Sequence, residues 1–181
     1  MSRAYFKLQE LDGKFDLLKP KHHILELGAA PGGWVRYIED KLSGHENLYI
    51  AVDPSPIKSS GLAKTIRGKS NEPRVSQEIK RILGSKKLDL VLSDMAPKIS
   101  GVSIVDDSAA IELAEEALNI AIKYLAPGGG MVAKLFQSSE AQNFTEETKR
   151  CFLKTMLFKP AASRSESREV FVVADGFKVG R

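Results

Sequence analysis

The sequence is poor in the residues that form disulfides and most transition-metal sites. It has one cysteine, Cys151, and three histidines. A single cysteine excludes an intramolecular disulfide and any site built from several cysteines, which is typical of proteins from a reducing compartment. His22 and His23 are adjacent and His45 lies apart, so the spacing typical of a zinc site is missing. The sequence therefore predicts no disulfide and no metal site.

Long apolar runs are missing as well. No stretch approaches the roughly twenty apolar residues of a membrane-spanning helix, and the first residues, MSRAYFKLQEL, lack the apolar core of a signal peptide. At 181 residues and 43% hydrophobic, the chain is long enough to bury a substantial core. We expect one domain over residues 1–181, in a soluble, cytoplasmic and monomeric protein with no membrane partner.

Positive charge is concentrated in one part of the chain. Residues 149–181 carry eight Lys/Arg and three Asp/Glu, an excess of five, whereas the whole chain has a net charge of +4. A local excess of positive charge suits a polyanionic partner. The C-terminal segment is therefore the predicted source of the positive field.

Residues 24–34, ILELGAAPGGW, are the part of the chain around which the rest is organised. A short apolar run breaks into small residues, which predicts a buried strand, a tight turn and a helix. Small residues let a backbone approach a ligand closely, and a helix N-terminus offers unpaired N–H groups. The turn departs from the dinucleotide pattern G-x-G-x-x-G because Ala-Ala-Pro occupies its middle. We interpret it as a nucleotide-like ligand site, with a tight turn lacking any ligand as the alternative.

Strand-like and helical patterns alternate along the chain. A helix–strand–helix–strand order at the start contains a βαβ unit, which implies a parallel sheet. Residues 54–73 are polar and weakly periodic and predict a loop or a poorly formed crossover. Residues 101–107 predict a second loop, of a length that often forms a lid or binding surface. The predicted helices are 4–18, 35–42, 76–83, 111–125 and 141–153. The predicted strands are 24–27, 47–52, 88–92, 130–136, 156–158 and 170–174.

Four charged residues occupy strands or strand ends where apolar residues are expected: Asp53, Asp94, Lys134 and Glu169. Ligands of open α/β sheets bind at the carboxyl ends of the strands, so we expect Asp53, Asp94 and Lys134 to converge on one crevice with the glycine turn. Asp53 is the candidate for ribose hydroxyls, with a solvated strand-end acid as the alternative. A buried lysine needs a partner, and Asp94 and Glu169 suit Lys134. A structural ion-pair network is the alternative to a catalytic one.

Five segments resemble, in order and spacing, the FtsJ/RrmJ family of S-adenosylmethionine-dependent ribose 2′-O-methyltransferases. They are SRAYFKL, LGAAPGGW, SDMAP, APGG followed by VAKLF, and SREVFVVA. The resemblance covers almost the whole chain. It implies an α/β protein with the class I (Rossmann-like) methyltransferase fold: a seven-stranded, mostly parallel sheet with helices on both faces and an antiparallel last strand. It also implies S-adenosyl-L-methionine as the cofactor.

The family uses a Lys-Asp-Lys-Glu tetrad, which by motif falls on Lys7, Asp94, Lys134 and Glu169. Lys7 would come from the N-terminal helix, within residues 1–20. The family's cofactor positions fall on Gly32, Trp34, Asp53 and Asp94.

One position departs from the family pattern. Family members usually carry an acidic residue near the adenine, and the aligned residue here is Lys69. An ammonium group cannot accept a hydrogen bond from the adenine amino group. How the base is held is therefore left open.

The implied chemistry needs these residue types. A ribose 2′-hydroxyl is a very weak acid, so its attack on a sulfonium methyl group needs a base or a cation that stabilises the alkoxide. Lys134 is assigned to the hydroxyl and Lys7 is the companion cation, and two neighbouring lysines would lower each other's pKa. Glu169 orients the lysines and balances their charge. Asp94 lies between lysine and methyl donor.

The resemblance implies RNA as the substrate and favours a uridine of large-subunit ribosomal RNA, in the assembled subunit. Other relatives modify the tRNA anticodon loop or mRNA caps. The predicted phosphate contacts, each of which has a solvated surface charge as its alternative, are Arg3, Lys98, Lys159, Arg164 and Arg168.

Two other classes of function fit the pattern less well. A nicotinamide dehydrogenase would share the βαβ unit and Asp53, but the Ala-Ala-Pro turn and Lys134 argue against it. A non-catalytic RNA-binding relative would have lost members of the tetrad, whereas all four positions are filled here.

Overall fold

A computed structural model describes residues 1–179, in which helices and strands alternate along most of the chain. The helices are α1 (Arg3–Phe15), α2 (Gly33–Leu42), α3 (Pro73–Leu83), α4 (Ser103–Tyr124) and α5 (Ser139–Cys151). The strands are β1 (His23–Leu27), β2 (Leu48–Asp53), β3 (Lys64–Arg67), β4 (Leu88–Ser93), β5 (Leu125–Phe136), β6 (Phe152–Phe158) and β7 (Glu169–Phe177). No helix of residues 1–179 is apolar over enough of its length to span a membrane.

Within the described residues, seven strands form one sheet in the order β3-β2-β1-β4-β5-β7-β6. The pairs among β1 to β5 are parallel. Strand β7 is antiparallel to both β5 and β6. This confirms the predicted fold class. The strand order reverses between β1 and β4, and ligands of open α/β sheets bind at such a point, beyond the carboxyl ends of the strands.

The sheet is covered on both faces, as predicted. One face packs against α1 and α2 and contributes Ile24, Tyr49 and Leu92 to a buried cluster. The opposite face packs against α3, α4 and α5. Central parallel strands bury both of their faces and therefore have continuous apolar sequences. A charged residue within such a strand stands out in the sequence for this reason.

Strand β3 lies inside residues 54–73, where the sequence predicts a loop, so that prediction is wrong at residues 64–67. Only Ile66 of this strand is buried. The strand forms the edge of the sheet beside β2. One buried residue in four gives no detectable alternation, which explains why the sequence did not reveal it.

Helix α4 begins at Ser103, so the loop predicted over residues 101–107 is mostly helical. Its first turn exposes Ile104 and Val105, with 77% and 54% of their surface accessible. Exposed apolar residues do not follow the amphipathic pattern of the rest of the helix. The periodicity therefore becomes visible only further along α4.

Candidate active site

The turn after β1 requires glycine at two positions because neighbouring protein backbone lies close to them. Gly28 has φ +75°, and an added Cβ would lie 2.7 Å from the backbone nitrogen of Met95. Gly32 has φ +124°, and its Cβ would lie 2.5 Å from the carbonyl oxygen of Lys58. Both positions require glycine for conformation and for space. The close approach that the sequence assigns to a ligand is, at these two positions, an approach between parts of the chain itself.

Asp53, at the end of β2, links this turn to the sheet. Its Oδ2 accepts a hydrogen bond from the Ala30 N–H at 3.0 Å, and its Oδ1 accepts one from the Ser55 N–H at 2.8 Å. The carboxylate is half-buried. Each oxygen can accept a further hydrogen bond. Asp53 can therefore stabilise the turn and bind ligand hydroxyls at the same time.

Four charged side chains form a continuous chain at the carboxyl end of β5. The Lys7 Nζ lies 2.6 Å from the Glu169 Oε2, and the Lys134 Nζ lies 3.3 Å from the Glu169 Oε1. The Lys134 Nζ also lies 3.3 Å from the Asp94 Oδ1 and donates to the Asp94 carbonyl oxygen at 3.2 Å. The structure thus brings together all four residues of the predicted tetrad, in the spatial order Lys7, Glu169, Lys134, Asp94.

These side chains are mostly withdrawn from water. The exposed fraction is 9% for Lys134, 12% for Lys7, 19% for Glu169 and 22% for Asp94. Ion pairs are screened less when they are buried. Removing one partner of a buried pair also leaves an uncompensated charge. Lys134 is therefore held in place by two carboxylates, as a lysine within an apolar strand requires.

The two carboxyl groups respond differently to this environment. Burial raises the pKa of Asp94, although the nearby Lys134 charge opposes the rise. Burial would also raise the pKa of Glu169, but the hydrogen bond from Lys7 and the charges of Lys134 and Lys7 lower it below its ordinary value. Glu169 is thus an anion shared by the two lysine side chains. Each lysine lies beside this carboxylate, in the position between the two lysines that the sequence analysis assigns to Glu169.

A cavity of about 1070 Å³ opens at the carboxyl ends of the central strands. Its lining includes Gly28 and Ala30 of the turn, together with Asp94 and Met95. The charged residues that line it are the carboxylates Asp53, Asp94, Glu112 and Glu116 and the lysines Lys69 and Lys98. An excess of carboxylates favours a ligand with positive charge and repels a diphosphate. The cavity therefore suits a sulfonium cofactor better than a nicotinamide dinucleotide.

Two of the predicted cofactor residues, Gly32 and Trp34, lie outside this lining. The Trp34 indole is 2% exposed and packs against Phe171, with ring centroids 5.7 Å apart. Within residues 1–179 its buried N–H has no hydrogen-bond partner. The structure places the Trp34 side chain in the core beneath α1 and α2. A cofactor role for either residue stays a prediction.

Glu26 is a buried acid that the sequence reasoning missed. It lies within β1, next to the last residue of the strand, is 1% exposed, and accepts a hydrogen bond from the Tyr49 hydroxyl. Burial raises the pKa of Glu26 to about 8, although the Tyr49 hydrogen bond opposes the rise, and the charges of Asp94 and Asp53 add to it. The sequence feature that could have revealed Glu26 is a charge inside the apolar run ILEL, which is the same kind of feature that singled out Lys134.

The residues predicted to contact phosphates differ in their surroundings. Arg3, Lys98 and Arg164 are exposed. Arg168 is exposed but pairs with Asp107, with the Nη1 and Oδ1 atoms 2.8 Å apart. Lys159 is half-buried and donates to the carbonyl oxygen of Ser167. Among residues 1–179, no group of three or more His, Cys, Asp or Glu side chains is placed to hold a metal ion.

Comparisons with known proteins point to the same chemistry. Residues 1–177 match the model of a family described as FtsJ-like methyltransferase. The ribosomal RNA large subunit methyltransferase E of Legionella pneumophila (strain Corby) is 40% identical over 178 residues, which cover 98% of this chain and 86% of that protein. A crystal structure described as a ribosomal RNA methyltransferase from Plasmodium falciparum superposes with a TM-score of 0.89 at 29% identity and covers 99% of both chains.

A more distant structure shares the fold alone. It is described as a methyltransferase from Streptococcus mutans in complex with SAH, has a TM-score of 0.59 and 13% identity, and covers 93% of this chain and 97% of that one.

Proposed function

Because the chain belongs to the FtsJ-like methyltransferase family, we propose that it transfers a methyl group from S-adenosylmethionine to a ribose 2′-hydroxyl of large-subunit ribosomal RNA. The favoured target is a uridine in the assembled subunit. The observation that carries the proposal is the buried chain of Lys7, Glu169, Lys134 and Asp94, whose last member also lines the acidic cavity. The relatives with 40% identity are named for methylation of this class of RNA.

The cavity fits the proposed cofactor. S-adenosylmethionine supplies an electrophilic methyl group on a positively charged sulfur. Asp53 would accept hydrogen bonds from the ribose hydroxyls, since both of its oxygens retain acceptor capacity beside the turn. Asp94 lies in the same lining and is also the partner of Lys134. It would therefore place the reacting end of the cofactor beside the lysine.

Lys134 is proposed as the base. Its amine, in the neutral form, would accept the proton of the 2′-hydroxyl as the oxygen bonds to the methyl carbon and the bond from that carbon to sulfur breaks, with S-adenosylhomocysteine as the leaving group. Asp94 and Glu169 fix the position of this amine from two sides, each within 3.3 Å. The Lys7 ammonium, 2.6 Å from Glu169, balances the charge of that carboxylate. The proton then leaves Lys134 to solvent.

Basic residues beside the tetrad supply the proposed RNA contacts. Arg168 precedes Glu169, and Arg3 begins the helix that carries Lys7. Glu166 lies in the same segment. Hydrogen bonds from its own backbone N–H and from the Ser165 hydroxyl lower the pKa of Glu166, and the charges of Arg164 and Arg3 lower it further. The charges of Arg3 and Arg164 thus both act on Glu166. Phosphate contacts of this kind position a substrate without reading its sequence.

The proposal is tested by incubating the protein with methyl-labelled S-adenosylmethionine and isolated large ribosomal subunits, with free ribosomal RNA and tRNA in parallel. The labelled RNA is digested and its nucleosides are separated. We expect label on the ribose of a uridine, from the subunit. Label on a base would contradict the 2′-hydroxyl, label on tRNA alone would favour the anticodon loop, and cofactor binding with no transfer would favour an RNA-binding relative.

A further inference from the structure

The end of the cavity beyond Asp53 is built from the loop after β3 and one face of α4. The loop contributes Lys69 and Ser70, and the helix contributes Glu112 and Glu116. The Ser70 hydroxyl donates to Glu116 Oε1 and lies 3.3 Å from the sulfur of Met95. A planar apolar ring held at this end would lie beside a thioether and a carboxylate.

An adenine ring at this end needs an acceptor for its exocyclic amino group, because a polar group that loses water without a partner costs binding energy. Lys69 cannot serve, since its ammonium only donates and its backbone N–H donates to the Glu72 carboxylate at 2.9 Å. Glu116 can serve. Its Oε1 is oriented by Ser70, and within residues 1–179 its Oε2 accepts no hydrogen bond.

Glu112 is the competing acceptor. It lies one turn before Glu116, on the same face of α4. It is exposed, however, whereas Glu116 is half-buried. A half-buried carboxylate that is already held by a hydroxyl loses less freedom on binding and competes less with water. The geometry therefore favours Glu116.

We propose that Glu116 accepts a hydrogen bond from the adenine amino group and selects adenine over a base that carries an oxygen at that position. This assigns to α4 a function that Lys69 cannot perform. The inference rests on the proposed function, because it requires an adenosyl cofactor in this cavity.

The test compares the affinities of S-adenosylhomocysteine and its inosine analogue by calorimetry. The analogue has a carbonyl oxygen where adenine has its amino group. The unmodified protein should prefer the adenosyl compound by at least about tenfold, a factor that corresponds to one charge-assisted hydrogen bond. In Glu116→Gln the amide can donate to the carbonyl oxygen, so the ratio of the two affinities should approach one. Glu116→Asp, which withdraws the carboxylate, should also narrow the ratio.

Glu112→Gln is the matched control, since it removes the same charge from the same helix face, and it should retain the preference. An unchanged ratio in both Glu116 variants would overturn the inference, as would a loss of the preference in Glu112→Gln alone. Those results would leave the proposed function intact, because S-adenosylhomocysteine would still bind. Failure of the unmodified protein to bind either compound would instead contradict the proposed cofactor.

Discussion

At the scale of single residues, Asp53 has two roles, in the proposed cofactor binding and in the turn, which two measurements on one variant can separate. Asp53→Ala removes the proposed ribose acceptor, so cofactor affinity should fall by about 1.5–3 kcal/mol, as expected for charge-assisted hydrogen bonds. Calorimetry with S-adenosylmethionine measures this loss. Asp53→Asn is the control, because its one remaining acceptor oxygen should give an intermediate loss.

Asp53→Ala should also destabilise the turn, because the Ala30 and Ser55 N–H groups lose their acceptor. Thermal unfolding of the ligand-free protein reports that effect separately. An Asp53→Ala protein that unfolds at a lower temperature but binds the cofactor with unchanged affinity would show that Asp53 acts only on the turn.

Glu26 should make stability depend on pH. The folded protein keeps the proton of this carboxyl up to about pH 8, whereas the unfolded chain loses it near the ordinary pKa of 4.5. Within that window the unfolded state binds fewer protons, so the free energy of unfolding falls as pH rises, by up to about 1.4 kcal/mol per pH unit. The contribution is fully present below pH 4.5 and is lost as pH approaches 8.

Glu26→Gln stays neutral at every pH and should remove this component. The stability of the variant relative to the unmodified protein should therefore increase from pH 5 to pH 8, as measured by denaturant unfolding. Other titrating groups are common to both proteins and cancel in the difference. A difference that does not change with pH would mean that the folded protein does not hold Glu26 protonated in this range.

At the scale of secondary-structure elements, the docking of α1 determines where Lys7 lies. Asp12 of α1 is 2% exposed. Its carboxylate accepts hydrogen bonds from the Leu18 N–H at 2.9 Å, from the Tyr37 hydroxyl at 2.7 Å and from the Lys41 ammonium. Tyr37 and Lys41 both belong to α2. One buried acid therefore joins the two helices on this face of the sheet.

Asp12→Ala should lower the free energy of unfolding by about 3 kcal/mol, because it leaves buried donors without an acceptor. Methyl transfer should fall as well, since α1 carries Lys7. Denaturant unfolding and a transfer assay measure the two effects. Asp16→Asn is the control, because Asp16 follows α1, is 78% exposed and within residues 1–179 forms an ion pair only with Lys19. Asparagine also tolerates the left-handed φ of +52° at this position. Equal effects of the two substitutions would contradict the role of Asp12.

Most elements could be predicted from the sequence because the central strands are mostly apolar and α2 and the later part of α4 are amphipathic. Strand β3 could not, because only Ile66 is buried, and the start of α4 could not, because its apolar residues face solvent. These failures have one cause: hydrophobic periodicity reports burial, and an element that buries little leaves little pattern.

The candidate site was predictable where a charge interrupts an apolar strand, as at Lys134. Lys7 could not be found in this way, because a lysine on an amphipathic helix normally faces solvent, and only the family resemblance singled it out. The sequence did not indicate Glu116 as a site residue for a similar reason. Its importance depends on the approach of Ser70 from a different element, 46 positions earlier in the chain, and no local pattern encodes that contact.

At the scale of the whole molecule, charges of opposite sign are placed next to each other. Four of the six charged residues that line the cavity are carboxylates, whereas Arg3 of α1 and Arg164 and Arg168 before β7 are exposed. A cationic cofactor and an anionic RNA can then approach the same four residues from different sides, each drawn by a complementary potential. The tetrad lies between the two regions.

The transfer step tests this account most directly, through single-turnover methyl transfer by Lys134→Ala together with its affinity for S-adenosylmethionine. We expect transfer to fall by at least about a hundredfold, as on loss of a positioned acid–base group. Cofactor affinity should change by less than about threefold, since Lys134 does not line the cavity. Lys149→Ala, at an exposed lysine of α5, is the control and should retain full activity. Transfer by folded Lys134→Ala at the rate of the unmodified protein would contradict the central claim.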